Sequence, residues 1–277
     1  MIVADVAAAA QFACLLEASA PKPGNVSPGR HFDDLRYEDF LAAAAAIGEP
    51  MTAAGVRPLG MTIRLATEAT RRWAGSNVNL GIVLLLAPLV RAALQSGVAD
   101  ARSVRAVLEE TTVDDAREVY AAIRLAAPGG LGRAESQDVA SEPDRALVDV
   151  MRLAADRDGI AREYATGFDT TFTIGAPAVG RARRDGLEWN DAVVEAYLTL
   201  LAAAPDTHIA RRGGVQLADE VTQRAQAVMA AGGVRSAAGR VAIDEFDRAL
   251  RDPKHTANPG TTADLTAAAI FVELLRT

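Results

Sequence analysis

The sequence predicts an all-α fold, a single multi-helix globular domain over residues 1–277, and three observations lead there. Apolar residues recur at helical spacing along most of the chain, and no alternating apolar–polar run of comparable strength competes with them. Hydrophobic residues make up 50% of the sequence but aromatics only 5%, so the core must be built mainly from small aliphatic side chains. Alanine is abundant among them, and its methyl group loses no rotamer freedom and lets helices approach closely.

Taken in order, helical bodies are expected over residues 41–47, 63–73, 78–94, 104–108, 116–126, 146–155, 189–203, 215–230, 246–250 and 263–275, with a further helix, 6–18, ahead of them. Thr112 with Asp115, and Ser141 with Asp144, have the spacing at which a side chain and a backbone N–H cap one another at a first turn. Gly48, Gly97, Pro128-Gly129-Gly130, Gly159 and Gly232-Gly233 read as helix stops. Residues 168–174 fit either a short extended segment or the start of another helix. The best linker is 129–144, which allows a subdomain seam there but carries no shift in composition.

The formal charge of −7 excludes non-specific binding to nucleic acid or an anionic membrane as the main role, while leaving room for a small phosphorylated ligand held by local arginines. Cys14 is the only cysteine, so neither an intramolecular disulfide nor a multi-cysteine zinc site can form, as suits a reducing compartment. The apolar opening, residues 1–13, lacks a basic start and contains Asp5, which is poor signal-peptide character. The apolar run 82–90 is far short of the ~20 residues a membrane span needs. A soluble cytoplasmic protein is expected, with homo-oligomer formation left open.

Four polar islands interrupt the helical stretches and read as loops around one site. In the first, Pro21, Pro23 and Gly24 make a tight turn holding Lys22, Asn25 and Ser27, which suits a phosphate unless the turn merely ends a helix. His31, Asp33 and Asp34 follow, with Glu17 one helix end away, offering oxygen ligands for a Mg²⁺ riding on a triphosphate, or else a solvated loop. In the second, Gly75 to Gly81, Ser76 or Asn77 can cap the next helix, and Asn77 and Asn79 can hold sugar hydroxyls; capping explains one asparagine, so Asn79 is the more diagnostic. The third, Asp206 to Gly214, sets a carboxylate and His208 two apart before Arg211 and Arg212, an arrangement for a base and a phosphate clamp. In the fourth, Asn258 to Asp264, the Thr261 and Asp264 spacing is also that of a capping box.

Lys22-Pro23-Gly24-Asn25-Val26, His31-Phe32-Asp33-Asp34, Gly75 to Gly81, Asp206 to Arg211 and Asn258 to Asp264 together resemble, in order and over nearly the whole chain, the motifs of the triphosphoribosyl-dephospho-CoA synthase family. The resemblance implies an all-helical fold and transfer of the 5-triphosphoribosyl group of ATP to the ribose 2'-hydroxyl of 3'-dephospho-CoA with release of adenine, ATP being a substrate and Mg²⁺ the cofactor. For that chemistry Glu17, Asp33 and Asp206 are the catalytic candidates, and Asp33, Asp34 and Asp264 the metal candidates. Lys22, Asn25, Ser27, His31, Asn77, Asn79, His208, Arg211, Arg212 and Asn258 are the substrate-binding candidates.

The second motif departs from the family's common Gly-x-Asn-Thr-His-Lys-Gly, since Val78, Asn79 and Leu80 stand where threonine, histidine and lysine are usual. Asp33-Asp34 also departs from the more usual Asp-Met. In these respects the chain resembles a subgroup associated with archaea and with one-carbon metabolism using tetrahydromethanopterin. That likeness carries a second expectation, phosphoribosyl transfer from phosphoribosyl pyrophosphate to a pterin-pathway small molecule. The non-catalytic competitor is a helical nucleotide-binding or partner-binding protein.

Overall fold

The computed structural model describes residues 3–252 and 254–276; Met1 and Ile2 of the apolar opening, Pro253 and Thr277 lie outside them. The described residues form one all-helical globular domain with no sheet. The helices are α1 (Val3–Ser19), α2 (Tyr37–Ala46), α3 (Gly48–Thr52), α4 (Leu59–Arg71), α5 (Leu80–Ser96), α6 (Ala101–Glu109), α7 (Val113–Ala126), α8 (Leu147–Ala154), α9 (Gly159–Thr166), α10 (Ala176–Arg184), α11 (Trp189–Ala203), α12 (Thr207–Gly213), α13 (Val215–Ala230), α14 (Ala237–Leu250) and α15 (Gly260–Leu274). A π-turn, Thr171–Gly175, leads into α10, and a 3₁₀ turn, Gly233–Arg235, precedes α14.

Two helices form the centre. Helix α5 is apolar on every side and α15 is lined with Ala263, Ala267, Ala268 and Ala269, so both bury nearly all round, as a helix without a polar face must. α15 packs against α1, α5, α10 and α11, and α1 in turn packs on α2, α3 and α5. No single helix among the described residues is long and apolar enough to cross a membrane.

Pro88 lies inside α5 without ending it. A proline has no N–H for the carbonyl four residues back, and here the buried Tyr164 hydroxyl of α9 donates to that carbonyl, Leu84 O, at 2.7 Å. A tertiary hydrogen bond therefore replaces the missing helical one.

Thr112 and Asp115 make the expected reciprocal cap at the start of α7. Ser141 and Asp144 do not cap a helix, because α8 begins only at Leu147, where Thr112 O and Thr111 Oγ1 of the α6–α7 junction receive the Leu147 and Val148 amides. Gly48 follows the end of α2, as expected, and also opens α3, while Gly159 opens α9 rather than closing a helix. Residues 169–174 are helical, not extended, and follow a bend at Phe168: the buried Glu163 carboxylate accepts from the Thr170 and Thr171 amides at 3.0 and 2.9 Å and gathers this stretch into the π-turn. The segment between α7 and α8 holds no regular element, and it forms one wall of the cleft described next.

Candidate functional site

A cleft of about 680 Å³ opens between the ends of α1, α5, α12 and α15 on one side and α7, α8 and the segment between them on the other. The first polar island is fixed at its edge by tertiary contacts. Asp247 accepts from the Gly24 amide at 2.8 Å, Tyr197 donates to Pro23 O at 2.8 Å, and Arg251 donates to Asn25 O at 2.8 Å. Asn25, held by this turn, reaches across to donate from Nδ2 to Asn258 Oδ1 at 2.9 Å, and both amides line the cleft.

Lys22 does not reach the cleft lining. It is wholly buried, its ammonium 3.0 Å from Glu17 Oε1 and donating also to the carbonyls of Glu17 and Ala20. The expectation that Lys22 offers a free cation to a phosphate is therefore not met: the charge is spent on Glu17. Burial raises the Glu17 pKa, opposed by Lys22, and burial lowers that of Lys22, opposed by Glu17. Glu17 itself faces the cleft.

The fourth island delivers the second carboxylate. No capping box forms between Thr261 and Asp264; instead the α15 start is capped from outside, by Asp206 Oδ2 accepting from the Thr262 amide and hydroxyl, both at 2.7 Å. The other Asp206 oxygen accepts from the His208 and Ile209 amides at 2.8 and 3.0 Å, so this buried carboxylate caps α12 and α15 together. With all four donors in place Asp206 has no lone oxygen for the cleft, and it does not line it, which removes the geometry a catalytic Asp206 would need. Asp264, relieved of capping, stands half-buried in the cleft wall and accepts no hydrogen bond from the described residues. Burial raises its pKa well above the usual carboxylate range, and the negative charges of Glu17 and Asp206 raise it further, with Arg211 opposing.

Gly81 is what lets Asp264 sit there. A Cβ at Gly81 would lie 1.9 Å from Asp264 Oδ2 and 2.5 Å from its Cγ, so only a bare Cα leaves room for the carboxylate against the first turn of α5. In the same island Asn77 Oδ1 accepts from the Leu80 amide at 3.2 Å and so does the capping, while the buried Asn79 amide nitrogen has no partner. Asn77 and Asn79 both line the cleft, as do Val78 and Leu80.

His208 lines the cleft from α12, its Nδ1 2.9 Å from Asn258 O. Burial lowers its pKa, with the Asn258 hydrogen bond and the Asp206 charge opposing. Arg211 is ion-paired with Asp158, which also caps α9, and its buried Nε has no partner; Arg212 donates to Lys254 O. Both guanidiniums border the cleft.

The His31–Asp34 segment lies largely outside this arrangement. It forms two tight turns closed by the Ser27–Arg30 and Phe32–Leu35 bridges, with His31 and Asp33 exposed and away from the cleft. Ser27 is buried, its hydroxyl unpartnered, and it too is away from the lining. Asp34 reaches the rim, where its carboxylate meets His255 Nε2 at 2.8 Å. Asp33, Asp34 and Asp264 thus do not converge, and among the described residues no group of three or more His, Cys, Asp or Glu side chains is placed to hold a metal.

Several lining residues escape a reading by islands. Asp158, Arg124 and Arg157 border the cleft, and so do residues 128, 129, 131, 132, 134 and 136–140. Arg124 donates to Val139 O at 2.7 Å and the Tyr120 hydroxyl to Gln137 O, tying this wall to α7. Asp158 precedes a glycine at a helix start, a local capping signal that could have flagged it; Arg157 sits in a charge-dense stretch and Arg124 in an alanine-rich helix, and nothing local singles either out.

Comparison with known proteins gives a consistent picture. A probable 2-(5''-triphosphoribosyl)-3'-dephosphocoenzyme-A synthase of Azotobacter vinelandii is 30% identical over 224 residues, covering 79% of this chain and 69% of that protein. The similarly described protein of Pseudomonas paraeruginosa is 36% identical over 118 residues, but that match spans only 42% of this chain and 40% of the relative. Among solved structures, a chain from Archaeoglobus fulgidus assigned as a triphosphoribosyl-dephospho-CoA synthase superposes with a TM-score of 0.66 at 30% identity, covering 84% of this chain and 97% of that one. The model of the CitG family, ATP:dephospho-CoA triphosphoribosyl transferase, matches residues 3–277, and the chain therefore belongs to that family.

Proposed function

We propose that this protein transfers the 5-triphosphoribosyl group of ATP to the 2'-hydroxyl of 3'-dephospho-CoA and releases adenine. The observation that carries this reading is the pairing of Glu17 and Asp264, carboxylates from two packed helices in each other's field, in a cleft otherwise lined by amides and arginines. Leaving-group departure from C1' builds positive charge on the ribose, and preorganised carboxylates beside the ring stabilise that charge better than water would. Lys22 serves this by keeping Glu17 from being an uncompensated buried charge, a positioning role. The Asn25–Asn258 pair and the unpartnered Asn79 amide are suited to ribose hydroxyls. Arg211 and Arg212 border the same space and supply cations for the triphosphate.

The donor set fits Mg²⁺ in a restricted way. Mg²⁺ is commonly held by one or two carboxylates together with substrate phosphates, so a cluster of three is not required. Asp264, with no hydrogen bond among the described residues and a pKa raised by burial and then by surrounding negative charge, is the carboxylate that would hold it. The ion would neutralise charge on the triphosphate. Asp33, His31 and Ser27 have no part in this reading, and Asp34 enters it only at the rim.

The test is incubation with ATP, Mg²⁺ and 3'-dephospho-CoA followed by mass analysis. Free adenine and a nucleotide heavier by one triphosphoribosyl unit are expected in equal amounts, and the absence of both would contradict the proposal. A second reading, phosphoribosyl transfer from phosphoribosyl pyrophosphate to a pterin precursor of the tetrahydromethanopterin pathway, draws on Asn79 and Leu80. These line the cleft where the family pattern has histidine and lysine, leaving that wall without charge. Pyrophosphate in place of adenine would mark it.

A further inference from the structure

We infer that His208, rather than a carboxylate, is the general base that takes the proton from the acceptor hydroxyl, an assignment that rests on the ribosyl-transfer reading above. Three features of the cleft converge on this side chain. Asn258 O, 2.9 Å from Nδ1, is an acceptor only, so Nδ1 carries the hydrogen and the neutral ring presents Nε2 as a bare lone pair. Nε2 has no hydrogen-bond partner among the described residues, and the ring borders the cleft.

The ring is also held rigidly. Its backbone amide is bonded to Asp206, whose other oxygen caps α15, so one carboxylate ties the starts of α12 and α15 together. The imidazole packs directly on the first residue of α15, where a Cβ on Gly260 would come within 3.0 Å of Nδ1. Asp264 lies four residues further along α15, one turn on and on the same side of the helix, which sets the base beside the carboxylate region where the ribose is placed.

The carboxylates are less suited to this task. Glu17 is ion-paired with Lys22, Asp264 is the carboxylate that would hold Mg²⁺, Asp206 has no free oxygen, and Asp33 is outside the cleft. The groups acting on His208 are Asp206 and Asn258 O, which favour the charged ring, and Arg211 and Arg212, which oppose it; burial is the largest influence and keeps the imidazole neutral. In the step itself the hydroxyl O–H bond breaks, its proton goes to Nε2, and the oxygen forms a bond to C1'. The C1'–N9 bond breaks with its electron pair on adenine, which leaves neutral after taking up one proton, and the imidazolium returns its proton to solvent.

The decisive experiments are a pH profile and a tautomer measurement. In the free wild-type protein, nitrogen NMR of the imidazole should show Nδ1 protonated and Nε2 bare at neutral pH, with titration below the ordinary 6.5. The Nε2–H tautomer, or an imidazolium at neutral pH, would overturn the assignment whether or not any substrate reacts. For adenine release, His208→Gln should lower kcat on the order of 10²–10⁴-fold, with little change in KM for ATP and loss of the acid limb of the profile. A His208→Gln protein, folded by circular dichroism, that keeps wild-type kcat and the acid limb would also overturn it. Absence of adenine release in the wild type with the expected tautomer would instead count against ATP and dephospho-CoA as substrates.

Discussion

At the level of single residues, Asp264 and Gly81 depend on one another. Gly81→Ala places a methyl where the Asp264 carboxylate now rests, while gaining helix propensity of up to about 1 kcal/mol, so adenine release should fall at least tenfold, roughly, with the helical circular dichroism unchanged. Asp264 also predicts a pH dependence of stability. Its folded-state pKa is raised above the unfolded 3.8, so the folded protein holds that proton more tightly than the unfolded chain does. The resulting stabilisation is complete below 3.8 and is lost as pH rises through the folded value. Asp264→Asn, which has no charge to bury, should raise Tm near neutrality and shift it little in acid, as thermal melts across pH would show. Lys22 calls for the opposite expectation. Lys22→Met strands a buried Glu17 carboxylate, and breaking such a pair costs about 3–5 kcal/mol, read as a loss in urea midpoint rather than a selective rise in KM for ATP. A turn rich in proline and glycine next to a lysine was legible as a rigid surface feature, but whether the ammonium points outward or inward depends on Glu17, which the α1 geometry places beneath it, and spacing does not reveal that.

At the level of elements, the helices were readable because the 3.6-residue apolar period is a local property, and α5, α7, α11, α13 and α15 lie close to where periodicity puts them. What escaped is non-local. The cap of α15 comes from Asp206, fifty-six residues away, and not from the local Thr261 and Asp264 pattern; the 171–175 turn is gathered by Glu163; and α5 runs through Pro88 because Tyr164 satisfies Leu84 O. This last substitution of one hydrogen bond for another can be tested by a double-mutant cycle. Tyr164→Phe should cost about 1–3 kcal/mol by orphaning a buried carbonyl, and the cost should shrink in a Pro88→Ala background, where an alanine N–H is available to Leu84 O. Additive effects of the two changes would contradict this explanation.

For the whole molecule, four islands separated by up to nearly the length of the chain meet because α1 and α15 pack side by side against α5, so Glu17, Asp264, four asparagines and His208 face one cleft. The order of the islands was enough to indicate the family, whereas membership in the site was not: His31, Ser27 and Asp33 share the motifs but turn away, while Asp158, Arg124 and Arg157 share no motif and line the wall. The central claim, that this cleft performs ribosyl transfer from ATP with adenine leaving beside Glu17 and Asp264, is tested most directly by a donor panel. Wild-type and Gly81→Ala proteins are given ATP or phosphoribosyl pyrophosphate with 3'-dephospho-CoA and Mg²⁺, and adenine and pyrophosphate are quantified together. The claim predicts adenine from ATP in the wild type, sharply reduced by Gly81→Ala, and no pyrophosphate-coupled product. Pyrophosphate release with a phosphoribosylated acceptor and no adenine, or adenine release indifferent to the Gly81 change, would contradict it.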